Sequence, residues 1–217
     1  MIFHIKKEEI LALVYHQINN NFYLTNEEEK EVCDAFEYTL ERCEYNFVRS
    51  TNKYYTRAAK DSLEAFFNPF HSVQWMTFLY YLANTIYHNG STTNICDKLY
   101  FLNKIMNGLD VFYAISLPKH FGAEHPVGSV MGRAEYGEGF YFYQGCTVGG
   151  TKDKNGNVLY PKIGEGVRMY SNSSILGKCI VGDNVLLGAG CLIKNQDIPA
   201  NSIVFGQSPN LIIKHTH

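Results

Sequence analysis

Eight histidines and six cysteines are the side chains in these 217 residues whose types could carry proton-transfer, nucleophilic or metal chemistry, and their spacing narrows the choice. His120 and His125 form an H-x4-H pair, yet no further histidine lies in the repeats described below to complete a three-histidine zinc site, so no bound metal is expected. Cys33, Cys43, Cys96, Cys146, Cys179 and Cys191 contain no C-x-x-C pair, which leaves zinc and redox motifs without support and fits a reducing cytoplasm. A net charge of −2 and a pI near 6.4 provide no basic field. Nucleic acid is therefore not an expected partner, and an anionic ligand would need a local site.

Two halves with different periods must position these groups, residues 1–107 and 108–217. The first reads as helical, with Glu and Lys alternating with Leu, Phe and Tyr at three- and four-residue spacings. Thr25 with Glu28 is a capping box that opens a helix through about Phe47. Further helices are expected over Lys7–Asn19, Ala58–Phe67, Ser72–His88 and Asn94–Asn107, with Asn89-Gly90-Ser91 as a turn. The dense aromatics, among them Phe66, Phe67, Phe70, Phe78, Tyr80 and Tyr81, read as helix packing. Acids and lysines near the N-terminus interrupt what a secretory signal would need. The most apolar run, Val73–Tyr87, is too short and too polar for a membrane span and reads as a core helix.

After Pro118 the period becomes six. Ile163, Met169, Ile175, Val181, Leu187 and Ile193 are all apolar, and four places after each of the first five stands Val167, Ser173, Cys179, Val185 or Cys191. Glycine follows the apolar position at Gly164, Gly182 and Gly188, where a turn needs a permissive backbone. Upstream the same count gives Val148, Phe142, Tyr136 and Val130, with Cys146 four places after Phe142. Val148 and Ile163 are out of frame, so a polar excursion loop over about 151–162 must leave the coil. Stacked six-residue units make short parallel strands about 4.8 Å apart that bury one another's apolar side chains, the cysteines among them as compact apolar groups.

Three stretches resemble known proteins: Thr147-Val148-Gly149-Gly150-Thr151, Pro161–Val167, and the closing Ile198–Gly206. They are similar to the hexapeptide-repeat acyltransferases, and within these to the serine acetyltransferase branch, over about residues 110–214. The expected chain is α+β, an all-α N-terminal domain followed, as the resemblance implies, by a left-handed parallel β-helix. The resemblance also implies acetyl-CoA as donor and a homotrimer, or a pair of trimers. His125, after the acidic Glu124, falls at the family's catalytic base, with Asp110 as the carboxylate that fixes its tautomer and stabilises the imidazolium. By the same resemblance the Gly150 amide donates to the oxyanion. Gly149, Gly150, Thr151, Ser171, Gly188 and Ala189 match positions along the acetyl-CoA groove between subunits. Lys194 or Lys214 could meet its phosphates, and either could equally be a solvated surface lysine.

Departures from the branch bear on the acceptor. Serine acetyltransferases carry Arg-His before the Pro-Lys-Ile segment, the arginine gripping the amino acid's carboxylate. Here the pair is Leu159-Tyr160, and leucine can make no charge-assisted contact. Glu124 replaces an aspartate, and Asn68-Pro69 stands where Asp-Pro would meet the substrate amine. With Tyr136, Tyr141, Tyr143 and Tyr160 nearby, the expected acceptor is a hydroxyl of a sugar, as a nucleotide sugar or the glycan of a surface polysaccharide. The alternatives are serine O-acetylation of cysteine biosynthesis with an altered site, and a non-catalytic trimeric scaffold or binding module.

Overall fold

A computed structural model describes residues 1–59 and 62–215 and divides the chain into two compact units, Met1–Asn107 and Gly108–His217. In the first, the helices are α1 (Lys7–Asn21), α2 (Asn26–Phe47), α3 (Ser72–His88) and α4 (Ile95–Asn107). The capping box is formed at the start of α2: the Glu28 amide donates to Thr25 Oγ1 and the Thr25 amide donates to Glu28 Oε2. α3 is buried along nearly its whole length, so it is a core helix and carries few charges for that reason. Among the described residues no helix is long and apolar enough to cross a membrane.

The helix expected over Ala58–Phe67 is not formed, so this unit is not all-helical. Its residues 60 and 61 lie outside the described residues. The remainder forms β2 (Thr56–Ala59) and β3 (Ser62–Phe67), paired antiparallel, while β1 (Ile2–Phe3) pairs parallel to β3. Long-range pairing outweighs the local pattern because the end of β3 enters an aromatic core. There Phe67 lies 5.8 Å from Phe47 and 5.4 Å from Phe78, and Trp75 stacks on Phe78 at 5.0 Å. The expected aromatic packing is present, apart from the exposed Phe70.

Gly108–His217 is a parallel β-helix with three faces. One face stacks Ala123, Phe142, Met169, Leu187 and Val204 inward. The second stacks Met131, Val148, Ile175 and Ile193. The third stacks Tyr136, Ile163, Val181 and Ile198. Below the loop the stacked partners are eighteen residues apart, as Ile163 and Val181 are; across it they are twenty-seven apart, as Tyr136 and Ile163 are. The nine extra residues form a hairpin, Thr151–Lys152 against Val158–Leu159, at the expected excursion. The upstream six-residue count fails at its last step, since Tyr136 stands only five positions after Met131. Met131, 1% exposed, takes the inward place assigned by count to Val130, which is 39% exposed.

The corners of this prism need left-handed backbone, which only glycine and, at some cost, asparagine adopt readily. Gly128, Gly145, Asn172 and Gly190 supply it at the corner between the first two faces, Gly177 and Asn195 at the next, and Gly139, Gly166, Asn184 and Asn201 at the third. Among the described residues one with positive φ is neither glycine nor asparagine. It is His125, at φ 49°.

Candidate active site

His125 sits at the first corner, directly after the short strand Phe121–Ala123, and its side chain is exposed. Its carbonyl accepts the Val127 amide at 2.7 Å, closing a tight turn that seats on the coil below, where the Gly145 amide donates to Val127 O. A histidine held in the left-handed region is a point of strain that the surrounding turn must enforce. Beside this turn runs Gly108–Asp110: the Gly128 amide donates to Gly108 O, the Asp110 amide to Ser129 O, and the Met131 amide to Asp110 O. The segment carrying Asp110 is thus locked to the segment that ends the histidine's turn, and Asp110 pairs with Val130 in parallel.

Below Glu124 the outward positions of the same corner form a column, Glu124, Tyr143, Tyr170, Gly188 and Phe205, set by successive amide-to-carbonyl bonds. Tyr143 and Tyr170 stack at 5.3 Å. Tyr141 lies alongside at 5.5 Å from Tyr143, donates to Glu124 Oε2 at 3.3 Å, and has the Arg168 guanidinium 4.8 Å from its ring centre. Burial first, and then the Glu124 charge, hold the Tyr141 hydroxyl well above the ordinary phenol range, and the same causes raise Tyr143. Both are therefore protonated donors at neutral pH. Histidine is the side-chain type here that can accept a proton near pH 7.

The second corner holds the other group of expected site residues. Gly150 opens the excursion hairpin, and a Cβ added there would come within 2.6 Å of Val158 Cγ1 and 2.8 Å of Tyr160 Cε1, so the hairpin closes on bare backbone. Among the described residues the Gly150 amide donates to no backbone carbonyl, and Gly150 is exposed. Leu159 pairs with Thr151, whose hydroxyl donates to Asn195 Oδ1. Lys194 is exposed on the same corner, and exposed Lys214 lies on the C-terminal hairpin opposite Ile203.

Within one chain, then, His125, Glu124, Ser171, Gly188 and Ala189 share the first corner, while Gly149, Gly150, Thr151, Tyr160 and Lys194 share the second. One face of the prism separates the two groups. Gly188 is buried and has a local reason to be small, since a Cβ there would meet the Phe205 ring at 2.5 Å. Asn68 belongs to the N-terminal unit, where its side-chain oxygen accepts the Phe70 amide. Tyr136 is no part of the tyrosine group: it takes an inward position and donates its hydroxyl to Gly132 O at 2.6 Å. His120 lies at the third corner, where the Gly139 amide donates to its carbonyl, one face away from His125. Cys146, Cys179 and Cys191 are buried, and burial pushes the Cys179 thiol up to about 12 and the Cys191 thiol up to about 11. Neither is a ready nucleophile.

Sequence reasoning missed Arg133, Arg168 and Tyr170. Arg133 lies with its guanidinium 5.4 Å from the centre of the Tyr160 ring. The available signal was that Arg133 and Arg168 are the two arginines after Arg57, and both fall in the repeat half.

Residues 160–195 match the family described as "Bacterial transferase hexapeptide (six repeats)". "Serine acetyltransferase 2" of Arabidopsis thaliana is 32% identical over 120 residues, which are 50% of this chain and 36% of that protein. "Serine acetyltransferase" of Bacillus pumilus is 29% identical over 126 residues, 54% of this chain and 57% of that one. The chain thus spans less than two thirds of the length of either relative. The crystal structure of Neisseria gonorrhoeae serine acetyltransferase matches 99% of this chain and 81% of its own with a TM-score of 0.69 at 20% identity. Other serine acetyltransferase structures of this fold have been solved with CoA and with serine. Residues 160–195 carry the hexapeptide repeat, and the chain shares the fold of these structures, four helices with a small sheet followed by a left-handed β-helix. Within that class the chain is similar to the serine acetyltransferase branch of the hexapeptide acyltransferases.

Proposed function

We propose that this chain is an acetyl-CoA-dependent O-acetyltransferase in which His125 takes the proton from an acceptor hydroxyl. The observation that carries this reading is the histidine itself, exposed and held at φ 49° three residues before Gly128 (φ 76°), which already supplies the left-handed corner of that coil. Such strain is kept where a site over-determines it. Asp110, on the segment locked to the end of the same turn, is assigned to fix the ring's tautomer and stabilise the imidazolium, which lets a neutral imidazole act as base. Acetyl-CoA supplies the activated acyl group, and a direct attack needs no covalent enzyme intermediate, in keeping with the raised Cys179 and Cys191 thiols.

The Gly150 amide is the proposed donor to the carbonyl oxygen that gains charge. Its exposure and lack of a backbone acceptor among the described residues support that role. Ser171 and Ala189 offer a corner of short side chains along which an extended acyl carrier fits, with Lys194 or Lys214 toward its phosphates. Because His125 and Gly150 occupy different corners of one chain, a site that uses both is completed by a neighbouring copy. This favours a homotrimer, alone or paired.

The relatives favour L-serine as the acceptor over the sugar expected from the sequence. A sugar hydroxyl is kept as the second reading on one observation: Leu159 is paired into the hairpin at the place where the family grips a carboxylate, and no polysaccharide role is supported by the comparisons. The test is acceptor-dependent CoA release with L-serine and with free and nucleotide-linked sugars, each product identified by a mass gain of one acetyl group. Turnover of serine alone supports the first reading and turnover of a sugar alone the second. Release with no acceptor of either class contradicts both.

A further inference from the structure

We propose that Arg133 is the specificity-determining residue that grips an anionic group of the acceptor, a carboxylate or a phosphate, at the second corner. This inference rests on the acetyltransferase reading for its substrate and on the geometry of the corner for its site. Met131 pairs with Val148, so Arg133 and Gly150 each lie two residues past a paired position on adjacent coils. Tyr160 is near both: its ring edge lies against Gly150, where an added Cβ would come within 2.8 Å of Cε1, and its ring centre is 5.4 Å from the Arg133 guanidinium. A guanidinium laid against an aromatic ring keeps its N–H edges free for a planar anion.

The corner's neighbours leave Arg133 to this task. Lys162 is occupied by Glu135 at 2.8 Å, and the other arginine of the β-helix, Arg168, lies on Tyr141 at the first corner. Among the described residues Arg133 is in no ion pair, and it is exposed. The cation that the hairpin lacks at Leu159 is thus supplied from the adjacent coil, next to the same tyrosine. A carboxylate or phosphate seated there would place the rest of the acceptor over Gly150, where the carbonyl oxygen of the donor is to be held.

The test is calorimetric binding and steady-state turnover on the full chain, with L-serine and L-serinamide as the carboxylate pair and UDP-glucose and glucose as the phosphate pair. Arg133→Ala is expected to weaken one anionic probe roughly 10- to 100-fold, as loss of a charge-assisted contact does. Its neutral counterpart and acetyl-CoA should change less than about twofold. Arg133→Lys should keep part of the affinity, and Leu159→Arg in the Arg133→Ala background should restore much of it by returning a guanidinium to the hairpin. Whichever pair responds identifies the anion. Equal weakening of charged and neutral probes, an effect on acetyl-CoA alone, or no binding of either anionic probe to the wild-type chain overturns the proposal. Arg133-dependent binding without turnover of any acceptor leaves the anion site standing and removes the acetyltransferase reading instead.

Discussion

Replacing His125 by glycine should remove activity while leaving the fold intact or firmer. The side chain is exposed, so its loss forfeits little packing, and the turn's hydrogen bond from the Val127 amide uses the backbone carbonyl, which glycine retains. An L-residue in the left-handed region costs about 1–2 kcal/mol, whereas glycine's greater freedom in the unfolded chain costs about 0.5–1 kcal/mol. The net expectation for His125→Gly is a gain of roughly 0 to 1.5 kcal/mol. His125→Ala keeps the Cβ and therefore most of the strain, so it should be the less stable variant by a similar amount. Both variants lose the base, and turnover should fall roughly 10²- to 10⁴-fold in each. Urea unfolding by circular dichroism reads the first quantity and acceptor-dependent CoA release the second. Turnover retained within about threefold in His125→Gly, or a stability below that of His125→Ala, would refute this role for the histidine.

Three further outcomes follow from separate parts of the structure. Met131→Ala should cost about 2–5 kcal/mol in urea unfolding and Val130→Ala less than about 0.5 kcal/mol, because the inward place belongs to Met131; a reversed order would restore the simple six-residue count. Glu28 is nearly buried with Lys98 at 2.7 Å: burial alone would raise its carboxyl, but the Lys98 and Thr25 hydrogen bonds outweigh it and hold the group below the ordinary range. That contribution is full above about pH 4.3, the unfolded value, and fades as the pH falls through the folded one. Glu28→Gln should then unfold roughly 1–3 kcal/mol more easily at pH 7, followed by fluorescence of Trp75, the sole tryptophan, with a shallower loss in acid; an unchanged acid limb would contradict the assignment. Finally, if a neighbouring copy completes the site, co-refolding inactive His125→Gly and Gly150→Val chains should recover activity that neither has alone, and no recovery would place the whole site within one chain.

The repeat from Ile163 to Ile193 was legible because each inward side chain depends only on its own six-residue unit, and all six are buried. The frame slipped upstream because a corner there is one residue short, which composition does not reveal, and Met131 is as apolar as Val130. β3 was misread for a different reason. Its partner β1 lies some sixty residues earlier, and the aromatic core that captures Phe67 is assembled from α2 and α3. At the candidate site, the histidine and glycine motifs could be matched by resemblance, but not the positive φ of His125, nor the separation of the two groups onto different corners. The Arg133–Tyr160 contact spans twenty-seven residues, one coil plus the excursion, and nothing local announces it. For the same reason the loss of a cation at Leu159 was visible in the sequence, and the arginine beside it was not.

The proposed function rests on acetyl transfer to a hydroxyl with His125 as the base. The most direct measurement compares acceptor-dependent CoA release from acetyl-CoA by the wild-type chain and by His125→Gly, with L-serine and the sugar panel, each product checked by mass. An acetylated product from at least one acceptor is expected, with a roughly 10²- to 10⁴-fold loss in the variant and no loss of stability. Product formation that survives the substitution, or no acetylated product from any acceptor, would contradict it.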